Sequence, residues 1–259
     1  MELHYSVCGK GKPIMILHGL FGSGSNWATA TKKLSTDFQV FLVDLRNHGK
    51  SPHMDTMSYQ EMADDVSSLI DKLRLKELTL VGHSMGGKVA MTLALSDSCL
   101  ISQLIIVDIA PAPYPDTYTD ILNTMNKMPE NVLLSRKDAD KYLREHILDK
   151  TTRQFILQNL IFVDGRLKWR LNIPCLIREM DKIVTWPSTK RSSCLKPTFF
   201  ICGEHSDRVS EKNNRAIAAY FPNNTKHIVS GGSHWPQVEA PKEFLKILKN
   251  LLSPIDSKC

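Results

Sequence analysis

The chain has 259 residues, of which 42% are hydrophobic and 23% are charged, and its formal net charge at pH 7 is +6. This composition is typical of an ordinary globular protein that can bury a substantial core. The lysines are spread along the chain, which does not favour a nucleic-acid partner, although a weakly basic surface would suit an anionic substrate such as a coenzyme A ester.

Cysteine usage and hydropathy narrow the class of protein further. The six cysteines form no C-x-x-C pair, which favours reduced thiols over a disulfide framework. No stretch approaches the roughly 18 apolar residues of a membrane span, and the N-terminus MELHYSVCGKGKP has no apolar signal-peptide core. We therefore expect a cytoplasmic protein without an integral membrane segment.

Strand-like and helix-like segments alternate over the first 110 residues. The apolar, strand-like runs are PIMILHG (13–19), FQVFLVD (38–44), LTLVG (78–82) and LIIVD (104–108). Helix-like runs near residues 26–36 and 58–73, and after Ser84, separate them. Strands that are apolar on both faces and joined by helices predict a parallel sheet with helices on both sides, in which ligands bind at the carboxyl ends of the strands.

The alternation breaks between residues 111 and 196. This stretch is predicted to form several helices, in TYTDILNTMNKM, DADKYLREHIL and RQFILQNLIF, and a turn at VDGRLKW. The alternation then resumes with PTFFICG (197–203), a helix near 211–220, TKHIVSG (225–231) and a final helix at 241–252. We therefore predict a core of residues 1–110 and 197–259, with residues 111–196 inserted after a strand end as a helical lid.

The stretch LTLVGHSMGGKVAMTLALS, residues 78–96, fits two different motifs. From Gly82 to Lys88 it matches the phosphate-loop pattern G-x-x-x-x-G-K, but the next residue is Val89, which has no hydroxyl group to bind magnesium. It also matches the nucleophile elbow G-x-S-x-G, in which a strand, a tight turn and a helix expose a serine. We therefore predict that Ser84 is a nucleophile at the N-terminus of a helix.

Two late histidines are candidates for the base that Ser84 requires. A serine hydroxyl needs a histidine base and a carboxylate that orients the imidazole, and in folds with this elbow the chain order is serine, acid, histidine. His227 lies within an apolar strand, whereas His234 follows that strand in the glycine loop SGGSHWPQVEAP. A loop at the carboxyl end of a strand can reach the serine, so we predict that His234 is the base.

Two aspartates are candidates for the acid. Asp207 follows the strand FFICG, in the usual neighbourhood for this acid. Asp108 ends the strand LIIVD, which directly follows the nucleophile helix. Both residues stand at carboxyl ends of central strands, so the residue pattern by itself leaves the choice open.

The segment MILHGLFGSGSNW (15–27) supplies the remaining part of such a site. Backbone N–H groups that follow the strand end at Gly19 can turn toward the oxyanion that forms when Ser84 attacks a carbonyl group. We expect the two donors to be the N–H groups of Leu20 and Met85. A dinucleotide-binding loop is disfavoured, because the glycine spacing is G-x-x-G-x-G, the reverse of the usual fingerprint.

These motifs together resemble one family of hydrolases. The segments that carry the resemblance extend over nearly the whole chain, including the predicted lid: HGLFGS, Asn26-Trp27, DLRNHGKSPH, Tyr59 with Met62-Ala63-Asp64, GHSMGGKVAM, VDIAPAPY, VDGRLKWRLN and GGSHW. They are similar to those of the YbfF esterases and α/β-hydrolase domain-containing protein 11, and they are far more specific than G-x-S-x-G alone.

The resemblance implies an α/β-hydrolase fold and a Ser-His-Asp serine hydrolase without cofactor or metal. Its substrates would be acyl esters or thioesters, including fatty-acyl or malonyl coenzyme A. The resemblance also bears on the acid, because these relatives carry a serine after the penultimate strand, where other hydrolases have aspartate. Alignment on Gly203 and Val209 puts Ser206 at that position. Asp207 then lies one residue after the position at which other hydrolases carry the acid, so the resemblance favours Asp108.

The leading functional hypothesis is an ester or thioester hydrolase with a covalent acyl-Ser84 intermediate. A cofactor-free haloperoxidase or a carbon–carbon hydrolase can use the same triad and is the alternative within this class. A catalytically silent binding or scaffold protein is a third hypothesis, which the presence of Ser84, His234 and two candidate acids disfavours. The lid would line the substrate pocket, although methionines at helical spacing are more often plain core. The pocket residues that we expect are Phe21, His83, Met125, Met128, Met180 and Trp235.

Overall fold

The structure, a computed structural model, describes residues 1–129, 135–187 and 193–253. The strands are Tyr5–Cys8 (β1), Lys12–Leu17 (β2), Phe38–Val43 (β3), Leu78–His83 (β4), Ile101–Val107 (β5), Leu160–Val163 (β6), Arg166–Trp169 (β7), Thr198–Gly203 (β8) and Asn224–Val229 (β9). The helices are Ala28–Leu34 (α1), Tyr59–Leu73 (α2), Met85–Ser96 (α3), Thr119–Asn126 (α4), Arg136–Arg144 (α5), Lys150–Leu157 (α6), Ile173–Val184 (α7), Asn214–Tyr220 (α8), Pro236–Glu239 (α9) and Pro241–Leu252 (α10). Within these ranges, no helix has the length and apolar character that a membrane crossing requires.

In the described part of the chain, a seven-stranded sheet has the order β1-β3-β2-β4-β5-β8-β9. The strands from β3 to β9 in this order run parallel to one another, and β1 pairs antiparallel with β3 at the edge. The parallel strands are the six that the apolar runs predict. Strand β1 was not predicted, because YSVC is short and mostly exposed. Since the parallel strands share one direction, the loops after β2, β4, β5, β8 and β9 emerge at the same edge.

Helices cover both faces of the sheet because its strands carry two sets of apolar side chains. In β2, Ile14 and Ile16 belong to a cluster with Trp27 and residues of α1 and α10. Met15 and Leu17, which alternate with them, belong to a second cluster with α2, α3 and the inserted helices. All five of these residues are at most 1% exposed. Burial on both faces therefore explains why the strands read as continuous apolar runs.

The segment between β5 and β8 contains the helices α4, α5, α6 and α7 and an antiparallel hairpin of β6 and β7. Helix α4 packs on α7, and α5 packs on α6. The hairpin turn contains Gly165, whose φ of 75° is the backbone conformation that glycine favours, at the predicted turn VDGRLKW. The two strands themselves were not predicted. The predicted helix RQFILQNLIF ends at Leu157, and its last three residues, LIF, belong to β6. Residues 130–134 and 188–192 of the predicted lid, and residues 254–259, lie outside the described residues.

Helix α7 is hydrogen-bonded to the core at both of its ends. At its start, the backbone N–H of Asn172 donates a 3.1 Å hydrogen bond to the Asn47 carbonyl oxygen. At its end, the Tyr59 hydroxyl group of α2 donates a 2.6 Å hydrogen bond to the Ile183 carbonyl oxygen. The inserted segment is therefore attached to the sheet-bearing core through side chains and backbone groups on two sides.

Candidate active site

Ser84 occupies a tight turn between β4 and α3. Its backbone has φ 51° and ψ −119°, and it is the N-cap residue of α3. An added Cβ at Gly82 would lie 2.3 Å from the Gly86 carbonyl oxygen, and one at Gly86 would lie 2.4 Å from the His18 carbonyl oxygen. Glycine is therefore required on both flanks of the turn, as the nucleophile-elbow motif predicts.

The His234 ring lies between Ser84 and Asp108. Its Nε2 atom is 3.0 Å from Ser84 Oγ, and its Nδ1 atom is 2.8 Å from Asp108 Oδ2. A carboxylate oxygen accepts hydrogen bonds, so Nδ1–H donates to Asp108 and, in the neutral ring, Nε2 accepts from the Ser84 hydroxyl group. This is the arrangement in which an imidazole can take the proton of an attacking serine.

Asp108 is held by hydrogen bonds from three directions. It follows β5, is fully buried and has φ 52°. Its Oδ1 accepts a 3.0 Å hydrogen bond from the Gly203 N–H, and its Oδ2 accepts a 2.5 Å hydrogen bond from the Ser206 hydroxyl group as well as the bond from His234. These donors offset the cost of burying a carboxylate and fix its orientation toward the imidazole.

Neither the alternative acid nor the alternative base joins the hydrogen-bond chain of Ser84, His234 and Asp108. The Asp207 side chain is 98% exposed, and its Oδ1 is 3.8 Å from Nε of Arg208. His227 lies within β9, where its Nε2 is 3.1 Å from Thr225 Oγ1 and its ring packs near Phe199. The structure therefore brings Asp108 to His234 and does not bring Asp207 there, because the side chain one position after Ser206 points into solvent.

Two backbone N–H groups beside Ser84 could form an oxyanion hole. Leu20 lies in a turn over residues 19–22, and an added Cβ at Gly19 would lie 3.2 Å from Ser84 Cβ, so this turn packs directly against the serine. Met85 is the first residue of α3, where backbone N–H groups have no partner within the helix. No described residue accepts a hydrogen bond from the Leu20 or Met85 N–H. Both donors therefore remain available to an anionic oxygen.

His83 supports the backbone of His234. Its Nε2 lies 2.7 Å from the His234 carbonyl oxygen, and because a carbonyl accepts, the proton of the His83 ring lies on Nε2. Burial, and then the proximity of His234, lower the pKa of His83 to about 3. His83 is therefore a neutral hydrogen-bond donor at physiological pH. Although it lines the cavity, it adds no positive charge beside His234.

A cavity of about 400 Å³ opens onto Ser84 and His234. Five further residues that the sequence predicts for the site line this cavity: Leu20, Phe21, His83, Asp207 and Trp235. The inserted segment contributes five residues that the sequence did not indicate: Thr117, Tyr118, Ile121, Thr152 and Phe155. The sequence did not indicate these residues, because the packing of the inserted segment decides which of its side chains face the cavity.

Met125 and Met128 do not reach the cavity at Ser84. They line a separate cavity of about 510 Å³. Met180 is 2% exposed on α7 and does not line either of these two cavities. The expectation that these methionines line the acyl pocket is therefore wrong. Helix α4 presents Ile121 to the cavity, whereas its next turn, which carries Met125, is buried in the main core cluster, where α4 packs on α7.

Lys88, the lysine of the phosphate-loop pattern, forms hydrogen bonds with the end of α7. Lys88 is 2% exposed, and its Nζ donates hydrogen bonds of 3.4 Å and 2.7 Å to the carbonyl oxygens of Val184 and Thr185 at the end of α7. One sequence signal could have indicated its burial, since it is the single charged residue of an otherwise apolar helix.

In the described ranges, no group of three or more His, Cys, Asp or Glu residues could hold a metal ion.

The chain matches known proteins over most of its length. Residues 12–241 match the family model described as alpha/beta hydrolase fold. The chain is 38% identical to the mouse sn-1-specific diacylglycerol lipase ABHD11, over 93% of this chain and 80% of that protein. It is 35% identical to esterase YbfF of Escherichia coli K12, over 93% of each chain. A solved structure of a marine microorganism esterase superposes with a TM-score of 0.93 at 33% identity, over 96% of this chain and 98% of that one.

These matches bear directly on the sequence predictions. They confirm the predicted fold class and the resemblance to YbfF and α/β-hydrolase domain-containing protein 11. They also confirm the predicted enzyme class, ester hydrolase, because these relatives are named as esterases and a lipase. The chain therefore belongs to the α/β-hydrolase fold family.

Proposed function

We propose that this chain is a serine hydrolase that cleaves acyl esters and acyl thioesters, coenzyme A thioesters among them, through a covalent acyl-Ser84 intermediate. The observation that carries the proposal is the continuous hydrogen-bond chain from Ser84 Oγ through the His234 ring to Asp108. It occurs at the N-terminus of α3, beside two backbone N–H groups that lack acceptors among the described residues. In this proposal, residues 111–196 act as the lid.

Acylation begins when Ser84 Oγ bonds to the acyl carbon and its proton passes to His234 Nε2. The carbonyl oxygen becomes an oxyanion, which the N–H groups of Leu20 and Met85 and the N-terminal end of the α3 dipole stabilise. Asp108 stabilises the imidazolium that has formed. His234 then gives its proton to the leaving alcohol or thiol, the bond to the leaving group breaks, and acyl-Ser84 remains.

Deacylation repeats these steps with water as the nucleophile. His234 Nε2 takes a proton from the water molecule as its oxygen bonds to the acyl carbon. The same two backbone donors stabilise the second oxyanion. The proton then passes to Ser84 Oγ as the acyl bond breaks, so the carboxylic acid leaves and the enzyme returns to its starting state. The net reaction consumes one ester and one water and yields one acid and one alcohol or thiol.

The wall of the cavity supports an apolar acyl group as the substrate. Phe21, Ile121, Phe155 and Trp235 line it, and burial of methylene groups against such residues stabilises a bound chain. Thioesters are included because the same attack, oxyanion and leaving-group steps apply to them. The formal net charge of +6 would suit the anionic leaving group of a coenzyme A thioester.

The test is a panel of substrates with the Ser84→Ala variant as the blank. The panel contains p-nitrophenyl esters and coenzyme A thioesters from acetyl to palmitoyl, and a diacylglycerol, because one relative is named as a diacylglycerol lipase. We expect the wild type to hydrolyse members of the panel and to be labelled by a fluorophosphonate at Ser84. The Ser84→Ala variant should lose activity by about 10⁴-fold or more.

Two results would contradict the proposal. Fluorophosphonate labelling that persists in Ser84→Ala would mean that another residue is the nucleophile. Absence of turnover by folded wild-type protein on the whole panel would favour the binding or scaffold hypothesis. Circular dichroism of both proteins serves as the control for folding.

A further inference from the structure

The turn that carries one oxyanion donor has an unusual backbone conformation. Residues 19–22 form this turn, which a 2.9 Å hydrogen bond from the Gly22 N–H to the Gly19 carbonyl oxygen closes. Phe21, its third residue, has φ 61°, in the left-handed region that usually calls for glycine at this place in a turn. A bulky residue persists in such a conformation when its surroundings hold it there.

The residue that holds Phe21 comes from the inserted segment. Asn159, which lies between α6 and β6 and is 4% exposed, donates a 2.7 Å hydrogen bond from Nδ2 to the Phe21 carbonyl oxygen. Its own backbone is fixed, because its carbonyl oxygen accepts a 2.9 Å hydrogen bond from the Arg170 N–H. The Phe21 ring also meets Tyr118 edge-on at 5.9 Å between centroids. The inserted segment thus contacts both the main chain and the side chain of Phe21.

We propose that Asn159 is a positioning residue for the oxyanion hole, because its amide fixes the Phe21 carbonyl group and thereby the direction of the Leu20 N–H. Asn159 is not among the residues that line the cavity at Ser84, so it acts through the turn and not on the substrate. Leu20 and Phe21 are the two residues between the hydrogen-bonded ends of the turn. The Phe21 carbonyl group shares its peptide unit with the Gly22 N–H, which donates to the Gly19 carbonyl oxygen. That Gly19 carbonyl group in turn shares its peptide unit with the Leu20 N–H. A rotation of the peptide unit after Phe21 therefore moves the Gly19 carbonyl group and redirects the Leu20 N–H.

The expected kinetic signature follows from when the oxyanion forms. The N–H donors bind an oxygen that becomes anionic in the transition state, so a misdirected donor lowers kcat and leaves ground-state binding nearly unchanged. The inference rests on the proposed function, since an oxyanion hole has a role when Ser84 attacks an acyl carbon. A purely structural role of Asn159 would lower the melting temperature without this selective loss.

The experiment compares Asn159→Ala and Asn159→Asp with the wild type, with rates expressed per active site after fluorophosphonate titration. The aspartate variant keeps the side-chain shape but offers no N–H donor. We expect kcat to fall about tenfold or more while KM stays within about twofold. The affinity for a trifluoromethyl ketone, which forms an oxyanion on reaction with Ser84, should fall by the same factor as kcat/KM.

Gln158→Ala is the matched control. Gln158 Oε1 accepts a 2.7 Å hydrogen bond from Asn26 Nδ2, so this variant breaks an adjacent contact between the same segment and the core without touching Phe21. It should keep wild-type kcat and ketone affinity.

The outcomes separate the possibilities. The proposal is overturned if either folded Asn159 variant keeps wild-type kcat, if kcat/KM falls without loss of ketone affinity, or if Gln158→Ala causes the same loss. It is also overturned if neither Asn159 variant folds, because the residue is then required for the fold itself. Failure of the proposed function has a different signature, which is a Ser84→Ala variant that remains active or labelled.

Discussion

The Lys88 ammonium group donates a 2.7 Å hydrogen bond to the Thr185 carbonyl oxygen, which joins the helix that begins at the candidate nucleophile to the end of α7. The ammonium nitrogen also lies 5.4 Å from the ring centroid of Tyr59 and 4.9 Å from that of Tyr114. Burial, and then the positive charge of Arg208, lower the pKa of Lys88 to about 7. A buried cation on this helix therefore titrates near neutrality.

The free energy of unfolding should depend on pH through Lys88. Its pKa in the fold is about 7, against an ordinary value of 10.5, so between these two values the unfolded chain binds more protons than the folded one. Stability should consequently rise with pH across this window, by at most about 1.4 kcal/mol per pH unit, and the cost of burying the charge is fully present below it. Tyr59 and Tyr114 stay neutral there, because burial raises the pKa of both.

Urea unfolding of the wild type and of Lys88→Met across this pH range measures the effect. The wild type should gain stability relative to the variant as the pH rises, because other titrating groups are common to both proteins. Lys246→Met, at a side chain that is 71% exposed, is the control and should show no such pH-dependent difference. A constant difference between wild type and Lys88→Met at every pH would contradict the prediction.

The sequence predicted those parts of the site that depend on local backbone chemistry. Ser84 was predicted as the nucleophile because the close approach of the backbone at Gly82 and Gly86 permits no side chain, which leaves a recognisable motif. His234 was predicted as the base because such a residue must lie in a loop at the carboxyl edge of the sheet, and the six parallel strands could be recognised as apolar runs. Strand β1 was missed because YSVC is short and mostly exposed. Strand β6 was missed because its apolar residues LIFV continue the helix-like run RQFILQNLIF and were assigned to that helix, and β7 lies in VDGRLKW, which was predicted as a turn.

The remaining parts depend on tertiary packing between distant segments. The residue pattern alone left Asp108 and Asp207 open, because a side-chain direction at a strand end is set by the backbone, here φ 52° at Asp108. The methionines were misassigned because the rotation of α4 about its axis is decided by its contacts with α7. Asn159 gave no signal, since its partner is a main-chain carbonyl group 138 residues away in sequence.

Replacement of Asp108 by asparagine should abolish most of the activity. The Asp108 carboxylate accepts a hydrogen bond from the Nδ1–H group of His234, whereas an asparagine amide can favour the other tautomer and leave Ser84 without a base. The same change costs about 10⁴-fold in kcat in a serine protease with this triad, and we expect a loss of similar order. Turnover of p-nitrophenyl acetate measures it.

Asp207→Asn is the matched variant for this comparison. The Asp207 carboxylate is 98% exposed and interacts weakly with Arg208, so its loss should change kcat by no more than about twofold. Circular dichroism checks that both variants fold. A larger loss of turnover for Asp207→Asn than for Asp108→Asn would reverse the assignment of the acid.

Ile121 and Met125 lie one turn apart on α4 but line different cavities. Ile121 lines the cavity at Ser84, whereas Met125 lines the separate one. Ile121→Ala should enlarge the acyl pocket and favour longer chains, because additional methylene groups then gain apolar contacts. We expect the ratio of kcat/KM for octanoyl over butyryl esters to rise about tenfold, and Ile121→Trp should lower it.

Met125→Ala tests whether this effect is specific to the face of α4 that meets the site. Met125 is 1% exposed, so its truncation should lower the free energy of unfolding by about 2–5 kcal/mol and leave the chain-length profile unchanged. Profiles with one alcohol and graded acyl chains, together with thermal unfolding, distinguish the two residues. If Met125→Ala shifted the profile as much as Ile121→Ala, the two cavities would not be independent. An unchanged profile in both Ile121 variants would mean that the acyl chain binds along another wall of the cavity.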